Sequence, residues 1–239
     1  MVLATATAGY GVGSIVRDSS LITYYDPSLS QSYSGSGTTY TDLSGNSNTG
    51  TLQNSPTFNT TNFSFNGTNQ YISTTNSFTN PNVYTTCLWF KTTSNAGRIL
   101  FEFENTQTGT GSTNFSSRKM WVGTDNTLVA GIFDGASVRY AQTGYSVTDN
   151  VWRYASSHYN GTNLSLYVNG SLVVTYSNIG TANPTTGWWR VAAYKGTGWP
   201  LHSDGYFTGS IGPIQIYNKV LTDAEILQNF NAQRGRFGV

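Results

Sequence analysis

Two glutamates, Glu102 and Glu104, occupy alternate positions in the run Phe101-Glu-Phe-Glu-Asn105. Alternate positions of a strand share one face, so this spacing would set two carboxylates side by side. A carboxylate pair flanking a glycosidic bond can hydrolyse it, with the groups about 5–5.5 Å apart for retention and about 6.5–9.5 Å for inversion. No other acidic pair in a predicted strand has this spacing. The plainer reading sends Phe101 and Phe103 into the core and turns both glutamates to solvent, leaving ligand contact as their remaining use.

Five aromatic residues, Trp188, Trp189, Tyr194, Trp199 and Tyr206, lie in or beside one Gly-rich segment. Trp188 and Trp189 must face opposite sides of a strand, so one can enter the core while the other stays accessible. An exposed ring beside Asn, Gln and Ser side chains offers a flat apolar face next to hydrogen-bonding groups, which suits stacking on a sugar. The alternative covers both rings, one by the core and the other by a sheet, a helix or a neighbouring subunit. The two histidines, His158 and His202, adjoin no Ser or Cys in a nucleophile motif. His202-Ser203-Asp204 sits in a Gly/Pro-flanked loop and reads as exposed. Cys87, the single cysteine, falls in an apolar strand pattern and reads as a buried, inert thiol. One Cys and two distant His argue against a transition-metal site.

The elements that must position these residues are strands. Only 10% of the 239 residues are charged and 14% are aromatic, against a usual charged share of ~25%. Ser, Thr, Asn and Gly replace the charges, a composition that disfavours helices and suits strands joined by turns. Strand runs are predicted at Leu21–Tyr25, Phe63–Ile72, Tyr84–Thr92, Arg98–Glu104, Lys119–Gly123, Thr127–Phe133 and Ser137–Gln142, with residues 30–50 as loop. They continue at Trp152–Tyr159, Leu164–Val168, Leu172–Tyr176, Trp188–Tyr194 and Tyr206–Tyr217. Asn169-Gly170 between two of them is the strongest hairpin signal, because both turn positions need positive φ. Thr222-Asp-Ala-Glu225 is a capping box opening a helix over 223–231, expected to pack over a sheet edge or the open end of the sandwich.

The pattern predicts an all-β, two-sheet antiparallel jelly-roll sandwich with one short C-terminal helix. A chain of this size buries roughly 70% of its unfolded surface, enough for a core without disulfides or metals. Residues 1–20 read as an extended arm and 21–239 as the domain. The arm is expected to dock on a strand edge of this domain or of a neighbour, with Tyr10, Val12, Ile15 and Val16 in shallow pockets. Its deletion should leave the sandwich folded but impair assembly. A net charge of +1 without a basic stripe points away from nucleic acid. No run approaches the ~20 apolar residues of a membrane span, and no basic residue precedes the small residues of 1–13, so no cleaved signal is expected.

Two segments carry a family resemblance. One runs from Tyr33 through Thr41-Asp-Leu-Ser-Gly-Asn46 and Gly50-Thr-Leu52 to Phe65-Asn-Gly-Thr-Asn-Gln-Tyr-Ile72. The other runs from Phe207 through Ile214-Gln-Ile-Tyr217 and the capping box to Arg234-Gly-Arg-Phe-Gly238. With Trp152 and Leu164-Ser-Leu-Tyr-Val-Asn-Gly170 between them, they resemble the concanavalin A-like lectin/glucanase superfamily in its laminin G-like, pentraxin-related branch. Their wording resembles versions carried by virion proteins of tailed phages. The superfamily's retaining glucanases carry three acids on alternate positions of a strand, whereas here the third position is Thr106. The resemblance implies calcium as a cofactor to look for, with Asp42, Asn46 and Asp204 as candidate ligands; an Asx-turn role for Asp42 and Asn46 is the alternative. The phage-like wording, the arm, the lack of a signal or membrane segment and the incomplete catalytic set together lead to the expectation of a non-enzymatic virion structural part, a head decoration or fibre, or a tail-fibre or baseplate component, assembled in the bacterial host cytoplasm. Its expected partners are capsid or tail subunits, a homo-oligomer and host-surface glycan. The competing classes are a stand-alone carbohydrate-binding lectin and, behind it, a glycoside hydrolase.

Overall fold

The computed structural model describes residues 13–111, 117–194 and 198–239. Within them the strands are β1 (Leu21–Tyr25), β2 (Thr39–Tyr40), β3 (Gly50–Gln53), β4 (Thr57–Phe58), β5 (Phe63–Asn66) and β6 (Tyr71–Thr74). Next come β7 (Phe78–Thr79), β8 (Tyr84–Lys91), β9 (Arg98–Glu104), β10 (Arg118–Val122), β11 (Leu128–Phe133) and β12 (Val138–Gln142). The chain closes with β13 (Arg153–Tyr159), β14 (Leu164–Val168), β15 (Ser171–Tyr176), β16 (Thr186–Val191), β17 (Thr208–Tyr217) and one α-helix, α1 (Asp223–Gln233). They form two antiparallel sheets. The first has the order β15-β14-β13-β8-β17-β5-β4, with β1 also on β17; the second has the order β12-β11-β10-β9-β16-β6-β3-β2, with β7 on β16. This is the predicted two-sheet sandwich with its short C-terminal helix.

Alternation decides which side chains meet between the sheets. Leu88, Phe90, Ile214 and Ile216 of the first sheet enter one apolar cluster with Phe101, Phe103, Met120 and Trp189 of the second. The hairpin at Asn169 and Gly170 has positive φ at both residues, 51° and 81°. A Cβ on Gly170 would come within 3.0 Å of Leu227 and 3.1 Å of Phe230, so the turn also sits tightly against the helix. Two strand predictions change. The run 63–72 breaks into β5 and β6 where Gly67 takes φ 76°, and the predicted loop 30–50 contains β2 and the start of β3.

The outer face of the first sheet is apolar as well. Cys87, Trp89, Tyr154, Tyr167 and Tyr217 form a second cluster with Ile226 and Phe230 of α1 and with Phe237. The capping box is present, but the helix runs two residues past its predicted end. It lies flat on a sheet face rather than over an edge, because that face would otherwise expose a band of aromatic rings. Cys87 is fully buried, and burial pushes its thiol up to about 11.

Residues 13–20 belong to the same layer. Ile15 and Val16 are buried; the Val16 N–H donates to Asn229 Oδ1 at 2.7 Å, and Tyr217 donates its hydroxyl to the Val16 carbonyl at 3.0 Å. This stretch is held mainly by the helix and by side chains, with one backbone bond at its end, where Asn218 N–H donates to the Ser20 carbonyl at 2.9 Å. Removing 1–20 would strip packed side chains from the domain. The positions expected to contribute earlier in the arm, Tyr10 and Val12, lie outside the described residues. No helix among the described residues is long and apolar enough to cross a membrane.

Candidate functional site

Register lines up one row of residues across the second sheet. Tyr140 pairs with Gly131, Gly131 with Lys119, Lys119 with Glu102, Glu102 with Arg190, Arg190 with Ser73, and Ser73 with Thr51. Directly opposed residues of antiparallel strands share a face, so all of these point away from the core. At the centre stand a cation, an anion and a cation. Lys119 Nζ is 3.5 Å from Glu102 Oε2, and Arg190 Nε is 3.4 Å from Glu102 Oε1.

Glu102 and Glu104 were expected to face solvent, yet both are fully buried. The sheet face is roofed by loops, which seal the charges from water. Arg190 donates to the carbonyls of Gly109 at 2.6 Å and Thr106 at 3.4 Å, and Gly109 N–H donates to the Tyr71 hydroxyl at 2.8 Å. The Lys119 ammonium lies 5.0 Å over the Trp199 ring. A Cβ on Gly131 would stand 3.0 Å from that ring, so only glycine lets the indole rest so close to the sheet. Burial lowers the Lys119 pKa, opposed by the attraction of Glu102. Phe101 and Phe103 do enter the core as expected.

The five aromatics separate into different roles. Trp189 is buried on the inner face against Phe101, Phe103 and Tyr84, so it cannot present a ring to a sugar. Trp199 and Tyr206 are buried in the roof; Tyr206 stacks on Tyr71 at 5.9 Å. Tyr194 packs 5.0 Å from Tyr206 and remains half-buried. Trp188, opposite Glu104 in the register, is half-buried too. Its Nε1 donates to the Thr75 carbonyl at 3.3 Å, beside the Gln107 amide that donates to Thr74 at 3.0 Å. Trp188 thus offers a partly open indole held in place next to a polar amide. The cations Lys119 and Arg190 were missed in the sequence. Their signal was a basic residue in the middle of an aromatic-rich strand run, within a chain that has only 12 Lys and Arg.

The calcium candidates are not brought together. Asp42 Oδ1 accepts from the N–H of Tyr24 and of Ser44, and its Oδ2 from Asn48 N–H and the Ser44 hydroxyl, all at 2.7–2.9 Å. Asn46 donates to the Leu21 carbonyl at 2.9 Å. Asp204 belongs to the other sheet's surroundings, within electrostatic range of Arg98 and Lys119. Asp42 staples its own loop to β1 with both carboxylate oxygens, and among the described residues no group of three His, Cys, Asp or Glu is placed to hold a metal. Adding calcium or EDTA is expected to leave the melting temperature unchanged. A rise with calcium that EDTA reverses would contradict this.

Neither histidine is free in solvent. His202 is half-buried, 6.1 Å from the Trp121 ring. Burial, aided by Lys119 and Arg98, pulls its pKa down to about 3, which corrects the exposed reading. His158 is buried and stacked on Tyr167 at 4.4 Å, with Nε2 3.0 Å from the Ser156 hydroxyl. Burial lowers it from 6.5 to about 3. Between those values the unfolded chain takes up a proton at His158 that the folded chain refuses. Stability is therefore intact above the upper value and falls as pH drops towards the lower one, by up to about 1.4 kcal/mol per pH unit. Denaturant melts at about pH 7 and about pH 4 should show a smaller loss for His158→Gln than for the unaltered chain. An equal loss would contradict the assignment.

A laminin G profile, described as the concanavalin A-like lectin/glucanases superfamily, matches residues 66–227, more than half of the chain. The chain belongs to the concanavalin A-like lectin/glucanase superfamily. No curated protein matches it in sequence. Solved structures with the same fold include the binding domain of Paraclostridial Mosquitocidal Protein 1, with TM-score 0.61, 15% identity and coverage of 88% of this chain and 52% of that one. They also include the botulinum neurotoxin serotype D binding domain, at 0.63, 14%, 90% and 52%, and the serotype D ligand-binding domain in complex with N-acetylneuraminic acid, at 0.62, 15%, 90% and 51%. The chain spans about half the length of each. In this member of the superfamily, β9 ends at Glu104, Thr106 lies beyond the strand, and Glu102 is held between two cations.

Proposed function

We propose that the chain is a non-enzymatic structural part of a bacteriophage particle, a head-decoration, fibre or baseplate component that contacts host-surface glycans and needs no cofactor. The observation that carries the non-catalytic reading is the roofed Lys119–Glu102–Arg190 row. Each oxygen of Glu102 faces a cation, and the carboxylate is sealed from water and from any substrate. A hydrolase needs the opposite, an acid and a base open to the scissile bond. The virion reading is supported by the phage-like wording at Thr41–Asn46 and Arg234–Gly238. The glycan reading is supported by the lectin-like fold, by neighbours that are binding domains, and by the fixed, partly open indole of Trp188 with Tyr194 on the same sheet's loops.

A glycan array with the purified chain tests the contact surface. Binding is expected, and Trp188→Ala should weaken it by roughly 1–3 kcal/mol, as truncation of a stacking anchor does. A blank array for the unaltered chain would remove the glycan reading. Binding by a chain that never enters particles would favour the stand-alone lectin instead.

A further inference from the structure

A groove unrelated to the roofed face runs along the flank where the C-terminus meets the β4–β5 hairpin. It consists of two hollows of about 450 and 230 Å³ that share Ser28 and Thr60 as walls. Together they lie within the roughly 300–1,000 Å³ usual for small-ligand sites. The larger is bounded by Asp26, Thr61 and Arg236, and the smaller by Tyr33, Ser34 and Phe58.

The lining has a definite chemistry. Arg236 Nη1 donates to both Asp26 oxygens at 2.8 Å and to the Ser28 hydroxyl, and Tyr24 donates its hydroxyl to Asp26 Oδ2 at 2.8 Å. The charges in the groove are thereby paired with each other and fixed in place. Around them stand the hydroxyls of Ser28, Ser30, Ser34, Thr60 and Thr61. Phe58 is half-buried, its ring held edge-on 4.9 Å from Tyr33, and it gives a flat apolar wall. An aromatic face amid hydroxyls and a neutralised guanidinium matches the alternating CH and OH surfaces of a sugar.

The wall between the hollows is also strained. Thr60 has φ 64°, a left-handed conformation that is an outlier for a β-branched residue. The turn is pinned around it, with Asn59 N–H donating to the Asn62 carbonyl at 2.9 Å and Thr61 N–H to the Asn59 carbonyl at 2.6 Å. Strain of this kind gathers at ligand clamps, and here it turns an exposed threonine towards both hollows.

We propose that this groove is a binding subsite for a short neutral oligosaccharide, separate from the Trp188 surface. The assignment rests on the reading of the chain as a glycan-contacting module and adds to it a place and a charge class. Neutral sugars are favoured over acidic ones because the Arg236 guanidinium is already paired with Asp26, its Nη1 shared between both carboxylate oxygens, leaving no net positive charge in the pair for an acidic sugar.

The test is an array of neutral and sialylated oligosaccharides, probed at low and high salt with the unaltered chain and with Thr61→Trp and Ser30→Trp. Thr61→Trp fills the larger hollow and Ser30→Trp the smaller. Both positions reach solvent, and melting temperatures confirm that the variants fold. The expected result is neutral-glycan binding that salt leaves unchanged and that either filling variant weakens about tenfold or more. Neutral-glycan binding that both filling variants retain overturns the groove and leaves the module reading intact. Binding confined to sialylated glycans also overturns it. A blank array for the unaltered chain overturns both readings.

Discussion

Glu102→Gln is expected to lower the stability of the fold by about 3–5 kcal/mol, because it leaves buried Lys119 and Arg190 facing a neutral amide. For a chain of this size each kcal/mol moves the melting temperature by about 2–4 °C, so the shift should be plain in a thermal melt. The roof prevents water from replacing the lost carboxylate. A glutamate facing solvent would give a change within about 0.5 kcal/mol, and a shift that small would contradict the arrangement. The paired replacement Glu102→Gln with Glu104→Gln should leave a polysaccharide-cleavage assay unchanged, since no release of reducing sugar is expected from the unaltered chain. Release that disappears in the paired variant would overturn the non-catalytic reading.

Trp89→Ala is expected to cost about 3–5 kcal/mol, the usual range for a buried aromatic. The Trp89 ring is fully buried, stacked 4.3 Å from Phe237 and 5.6 Å from Phe230, and its Nε1 donates to Gln233 Oε1 at 2.8 Å. Its loss would open a cavity under the helix, orphan a buried amide oxygen and loosen residues 13–20, which rest on the same cluster. Leu227→Ala on the exposed side of α1 is the control and should change little. Equal effects for the two variants in urea melts would show that the helix is not anchored through the sheet face.

Much of this fold was legible because its signals are local. The alternation in 98–104, the Asn-Gly hairpin and the Thr222–Glu225 capping box are each decided within a few residues. β3, which begins inside a stretch read as loop, was not legible. Gly50-Thr-Leu-Gln53 has one apolar side chain and becomes a strand by pairing with β6. The site was read less well, for a similar reason. Burial of Glu102 depends on Lys119 and Arg190, 17 and 88 residues away in sequence, and on loops that close over all three. Alternation placed Trp188 and Trp189 on opposite faces but could not say that Trp199 and Tyr206 would be covered. The Asp26–Arg236 pair that floors the groove joins the end of the first strand to the C-terminal segment, a separation of 210 residues, and no spacing rule connects them.

Mass spectrometry of purified phage particles, alongside size-exclusion chromatography of the isolated chain, tests most directly the proposal that the chain works as a non-catalytic part of a particle. The chain is expected in the particles as a regular structural component, at a fixed ratio to the major capsid or tail subunit. A stable monomer absent from those particles would contradict it.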